Sequence, residues 1–180
     1  MKAVKRFVFM IAIFVAFNTS VFTLLAMERP SVNKSSIPDK VIYLIRHAEK
    51  SKDQDRNPSL TAKGIRRAKN IAKMLKDKNI TKIYSTNYAR TMETAKPLSE
   101  LLGVSVINYN PRSMEDFAKS RLSSSENSLI VGHSNTTPYM VSILGGESDS
   151  EIKESVYDKL YKLSFNAGSV STKLLKSSSE

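Results

Sequence analysis

The chain of 180 residues holds two histidines and no cysteine, so few of its side chains can exchange a proton near neutral pH. One histidine is His47, beside Arg46 in "LIRHAEK" (Leu44 to Lys50). The other is His133, in "LIVGHSN" (Leu129 to Asn135). A second arginine that matters is Arg90, in "IYSTNYARTMETA" (Ile83 to Ala95). Taken singly, each has a plainer role, as a hydrogen-bonded histidine of the framework or a solvated, ion-paired arginine. Metal binding is the rival use for two histidines, but no cysteine is available and two arginines in the same place would repel a cation. Together the four suit a phosphate. Two guanidinium forks can grip phosphoryl oxygens in planar, bidentate fashion. A neutral imidazole nitrogen can attack phosphorus while a second imidazole holds the charge that develops.

These residues need a frame that brings them to one place. "KVIYLI" (Lys40 to Ile45) is a short β-branched run that reads as a buried strand, and Arg46 and His47 follow it directly. Thr61 can cap a helix whose apolar positions Ile65, Ala68, Ile71, Ala72 and Leu75 keep helical spacing, with a lysine- and arginine-rich face turned to solvent. "KIYS" (Lys82 to Ser85) reads as a second strand. Asn87 can cap the following helix, which Pro97 should kink or restart and Gly103 should end. Arg90 then lies in the first turn, where free amides and the helix dipole favour an anion. "VSVIN" (Val104 to Asn108) and "SLIVG" (Ser128 to Gly132) read as further strands, separated by the short helix "MEDFAKSRL" (Met114 to Leu122). Thr137 and Pro138 look like a helix start, with proline at the first helical position, and that helix should run to Gly145-Gly146. "KLYKLSF" and "SVSTKLLK", separated by "NAG", read as a terminal hairpin. Strand and helix alternate, which argues for an α/β fold: a mostly parallel central sheet flanked by helices in three layers. In such sheets ligands bind beyond the carboxyl ends of the strands. Arg46, His47 and His133 each come just after a predicted strand, and Arg90 comes only slightly later.

The motifs also resemble those of a known family. "LIRHAE" resembles the Arg-His-Gly (or Ala)-Glu signature of the histidine phosphatase superfamily, the phosphoglycerate mutase-like family. "NPSLTAKGIRRA" (Asn57 to Ala68), "IYSTNYARTMETA" and "LIVGHSN" resemble its later motifs, in the same order, over nearly all of residues 41–144. The resemblance implies that His47 is a nucleophile forming a phosphohistidine that water hydrolyses. It implies that Arg46, Arg90 and His133 complete the phosphate pocket, and that no metal or organic cofactor is needed. Glu49 would hold the loop. Ser134 and Asn135 could donate hydrogen bonds to substrate or cap the next turn. The general acid is the gap. Some members place an aspartate directly after the second histidine, where this chain has Ser134. Others place a glutamate some way after the second arginine, where Glu115 and its neighbour Asp116 are the nearest candidates. Both could equally be first-turn acids stabilising a short helix. With no sizeable insertion to form a substrate cap, the chain resembles the short branch that includes phosphohistidine phosphatases. A missing acid would favour good leaving groups, such as phosphohistidine, acyl or aryl phosphates. The other reading of that gap is a module that binds a phosphorylated ligand without turnover.

Residues 1–26 open with Lys2, Lys5 and Arg6 and then run apolar from Phe7 to Ala26, the layout of a secretory signal or a membrane anchor. Export is therefore expected, to the periplasm or the outside, with membrane contact only through residues 7–26 if they are not cleaved. Residues 27–40 read as a linker and 41–180 as one domain. Without Lys2, Lys5 and Arg6 the formal charge falls from +11 to +8. That surplus suits an anionic partner, here a small phosphorylated substrate. Nucleic acid is not expected, because no basic-aromatic stripe or recognition motif occurs. The absence of cysteine excludes disulfides and attachment through a lipidated cysteine. Oligomeric state is left open by the sequence.

Overall fold

The computed structural model describes residues 39–52 and 56–180; the signal-like segment, most of the linker and residues 53–55 lie outside the described residues. Strand β1 (Lys40–Arg46) is the sheet's hub, pairing in parallel with β4 (Ser128–Gly132) and antiparallel with β5 (Lys159–Asn166). Beyond β4 come β2 (Lys82–Ser85) and the short β3 (Val106–Asn108), both parallel to it; β6 (Ser169–Lys176) closes the other edge as the partner of β5. The order is β3-β2-β4-β1-β5-β6, a six-stranded mixed sheet whose first four strands are parallel. The terminal hairpin is antiparallel, as its short "NAG" turn requires.

The side-chain alternation of β1 builds two cores at once. Ile42 and Leu44 face α3 (Met114–Leu122) and α4 (Thr136–Ile143), packing with Met114, Ala118, Met140 and Val141. Tyr43 and Ile45 face α1 (Ala62–Leu75) and α2 (Ala89–Leu102), packing with Ile71, Leu75, Ala95 and Leu98. Each fully buried aliphatic side chain here contributes roughly 1.5–3 kcal/mol relative to exposure. The sheet is therefore covered on both faces, the three layers expected from the alternating pattern.

Several local expectations are corrected. Thr61 does cap α1, accepting from the Gly64 amide at 3.1 Å, but Arg67 on the basic face turns inward and is buried. Its guanidinium donates to both oxygens of Glu49, at 2.9 and 2.8 Å, and to the Ser177 carbonyl. Asn87 is not the cap of α2. Tyr88 occupies the cap position without a side-chain bond, and Ala89, the first helical residue, donates its amide to Asn57 at 2.8 Å, from 32 residues upstream. Pro97 lies inside α2 and does not restart it. Helix α4 begins two residues earlier than the Thr137-Pro138 pair suggests, because Asn135 caps it by accepting from the Thr136 amide at 2.9 Å. Among the described residues, no helix is long and apolar enough to cross a membrane.

Candidate active site

The parallel register of β1 and β4 aligns Arg46 with Gly132, so the two strands end side by side and His47 and His133 emerge next to each other. The His47 amide donates to the Gly132 carbonyl at 2.9 Å, which ties the two strand ends together. The imidazole centroids lie 5.6 Å apart, edge towards face at 67°. Helix α2 carries Arg90 to the same rim. Thr94 locks that placement: its hydroxyl donates to the Arg90 carbonyl (2.7 Å) and accepts from the Ala48 amide (2.9 Å). Helix α1 presses on the same loop from below, and Gly64 makes this possible. A Cβ there would sit 2.3 Å from the Glu49 carbonyl oxygen.

His47 is buried, and its Nδ1 lies 2.8 Å from the Ala48 carbonyl. A carbonyl can only accept, so Nδ1 carries the proton and Nε2 keeps its lone pair. Burial lowers the His47 pKa to about 3, helped by the charges of Arg46, His133 and Arg90, while the Ala48 bond works the other way. The ring is therefore neutral around pH 7, as a nucleophile must be. His133 is lowered to about 4 by burial, then by Arg90 and Arg46, and its Nε2 lies 3.0 Å from the Thr86 hydroxyl.

The two arginines are held differently. Nη1 of Arg46 donates to the carbonyls of Lys153 (3.0 Å), Glu154 (3.1 Å) and Val156 (3.1 Å); Nη2 donates to Glu154 Oε2 (2.9 Å). The Arg90 guanidinium hydrogen-bonds no described residue and lies 4.6 Å from the Tyr88 ring centroid. In both arginines Nε is buried without a partner among the described residues. Two unmatched N–H donors beside two neutral imidazoles form a pocket with positive charge and acceptor-seeking hydrogens, which suits a tetrahedral oxyanion. Two tyrosines wall it. Tyr88 sets its ring 5.1 Å from His133, and Tyr157 sets its ring 6.1 Å from His47 and 4.3 Å from the Arg46 guanidinium carbon. Among the described residues, no group of three or more histidine, aspartate or glutamate side chains is arranged to hold a metal ion.

The structure thus brings Arg46, His47, Arg90 and His133 together. Glu49 is occupied with Arg67 on the underside of the loop. Asn135 is occupied as a helix cap. Ser134 donates its hydroxyl to Glu154 Oε1 at 2.8 Å. Glu115 and Asp116 stand in the first turn of α3, exposed, and no hydrogen bond or ion pair joins either to the four. Glu115 accepts from the Tyr139 hydroxyl at 2.6 Å, and that bond holds its carboxyl below the usual range. Sequence reasoning missed Glu154, Tyr157 and Tyr88. The stretch 147–158 has no periodicity and several acids, so nothing in it marks Glu154.

The family model for the histidine phosphatase superfamily (branch 1) matches residues 42–119, a span that contains Arg46, His47 and Arg90 and stops short of His133. The fold is similar to that of the putative phosphohistidine phosphatase SixA from Agrobacterium tumefaciens. The TM-score is 0.55 and the identity 16%, over 76% of this chain and 96% of that one. It is also similar to the protein histidine phosphatase SixA complexed with tungstate (TM-score 0.60, 13% identity, 77% and 96% covered). A phosphoglycerate mutase from Bacillus anthracis str. Sterne gives a TM-score of 0.57 at 13% identity, with 81% and 95% covered. No curated protein matches the sequence.

Proposed function

We infer that this chain is a member of the histidine phosphatase superfamily, whose model matches residues 42–119, and a phosphatase that passes a phosphoryl group from its substrate to Nε2 of His47 and then to water. The observation that carries this reading is the state of His47: buried, neutral, its Nδ1–H engaged by Ala48 and its Nε2 free beside two arginines and a second imidazole. As Nε2 approaches phosphorus, charge builds on the equatorial oxygens. Arg90 and the Nε of Arg46 meet that charge with N–H donors, and His133 takes up a proton as the anion enters, which makes it a donor as well. In this scheme the arginines supply the positive charge, so chelators should leave turnover intact. The substrate is a small phosphorylated molecule: a phosphomonoester, or a phosphoramidate or acyl phosphate. Export through residues 1–26 belongs to the same reading and rests on the sequence; cell fractionation checks it.

Rapid quench with a labelled phosphate ester tests the mechanism. The expected product is an acid-labile, base-stable phosphoenzyme that forms in the wild type and is absent from His47→Ala. Label that persists in His47→Ala would sink the assignment. Tight phosphate binding with no label from aryl or acyl phosphates would instead favour a module that binds without turnover.

A further inference from the structure

A proton donor for the leaving group is still required, and one carboxylate reaches the cluster. Among the described residues, the four side chains make one ion pair, Arg46 with Glu154. Glu154 lies between α4 and β5, on the segment whose carbonyls Arg46 holds. Its Oε2 accepts from Arg46 Nη2 at 2.9 Å and its Oε1 from the Ser134 hydroxyl at 2.8 Å. Arg90 also feels the charge of this carboxylate, which places the two within electrostatic reach.

The ion pair does little as a fastener. The Glu154 side chain is 70% exposed, so the pair adds little to stability, and the three carbonyls on Arg46 Nη1 hold the segment without it. The exposed side of Glu154 instead faces a cavity of about 420 Å³ lined by Lys50, Lys52, Ser155 and Tyr157. A leaving group departing from phosphorus would find room there. Ser134 follows His133 directly, the position at which an acid is expected. It carries no acid itself, but its hydroxyl holds one that arrives from 20 residues further along.

We propose that Glu154 is the general acid and base of this site, held by Ser134 and shared with Arg46 until substrate enters. The proposal rests on the phosphatase reading above. In the empty site, the Ser134 hydrogen bond, then Arg46, keep the Glu154 carboxyl below its usual range. An incoming phosphoryl group reverses this, since it draws on the same arginines and adds its own negative charge beside the carboxylate. About a tenth of a phosphate monoester still holds a proton at pH 7, its second ionisation falling at about 6; it is this monoanion that binds productively, and its proton passes to Glu154. The lone pair of His47 Nε2 then forms the N–P bond as the P–O ester bond breaks, and the leaving oxygen takes the proton from Glu154. In the second half, a water oxygen attacks phosphorus, its proton goes to the Glu154 carboxylate, and the N–P electron pair returns to Nε2. Glu154 then returns that proton to the product phosphate, alcohol and phosphate leave, and the enzyme is as it began.

The test is Glu154→Gln, measured on a series of alkyl and aryl phosphates with quench labelling of the wild type in parallel. An alkoxide needs the proton and a nitrophenolate does not. The expected loss in the labelling step is therefore about 10²–10⁴-fold for alkyl esters and within a few-fold for 4-nitrophenyl phosphate. With the aryl substrate, phosphoenzyme should accumulate because the base for water is gone. Ser134→Ala should show the same trend, weaker. Equal loss across the series, or none, while the wild type labels at His47, overturns the role of Glu154 alone. A wild type that never labels overturns the parent reading and this one with it.

Discussion

The two halves of the site are built from the same parts, an arginine, a histidine and a tyrosine, yet they are held in opposite ways. At the end of β1, Arg46 is almost fully buried and committed to three backbone carbonyls and a carboxylate, and His47 is fixed through Ala48. At the start of α2 and the end of β4, Arg90 meets no described hydrogen-bond partner, and the His133 ring meets a threonine hydroxyl, the Tyr88 ring and the edge of His47 but no backbone carbonyl among the described residues. On the proposed reading, the first half is framework as much as catalyst and the second is kept open for the ligand. One pocket would then combine a nucleophile that cannot drift with a clamp whose donors are unspent.

The largest break in this comparison should come from the histidines. His47→Ala is expected to lose at least about 10⁴-fold in kcat and all covalent label, while His133→Ala slows turnover but still labels. Equal loss of label in both would mean that the division between nucleophile and stabiliser is wrong. Next come the arginines. Arg46→Ala and Arg90→Ala should each reduce kcat/KM by about 10²–10³-fold. Denaturant titration should separate them: Arg46→Ala strands three carbonyls and loses about 2–4 kcal/mol, whereas Arg90→Ala changes stability by less than about 1 kcal/mol.

A smaller effect follows from the neutral rings. The folded-state pKa values of His47 and His133, about 3 and about 4, lie below the ordinary 6.5. The unfolded chain binds protons below pH 6.5 and the folded chain does not until much lower, so stability is present above 6.5 and lost as pH falls. Between pH 7 and pH 5 the His47 contribution amounts to about 2 kcal/mol. Unfolding in phosphate-free buffer should show His47→Gln less sensitive to pH than the wild type over that interval. The smallest effect is reserved for Glu115→Gln, expected to change kcat/KM by less than about twofold, since the carboxylate belongs to Tyr139 and solvent.

The framework half was the easier one to read. β1 is a continuous β-branched run, and a histidine placed directly after it can only emerge at the sheet's rim. The alternation of strands and helices fixed the layers for the same reason, since each apolar period allows one kind of element. Capping was less legible. The α2 cap comes from Asn57 on a distant loop, and a contact between positions 32 apart leaves no local signature. Arg67 was misjudged because its partner, Glu49, lies on another element, and a lysine-rich face gives no sign that one member turns inward. Glu154 was hidden in the same way: its importance comes from Arg46 and Ser134, neither of which is near it in the chain.

The bond from the Ala89 amide to Asn57 has a consequence for anyone exchanging parts between relatives. Lys50 and Lys52 line the cavity beside Glu154, so on the proposed reading residues 50–59 are a natural segment to exchange when altering what the site accepts. A transplant that ends without an acceptor at position 57 removes a helix cap worth about 1 kcal/mol from the turn that carries Arg90. Substrate preference and catalytic power would then fall together, and the graft would be blamed for poor recognition when its fault is a loosened arginine. Chimaeras at this loop are best built with Asn57 retained.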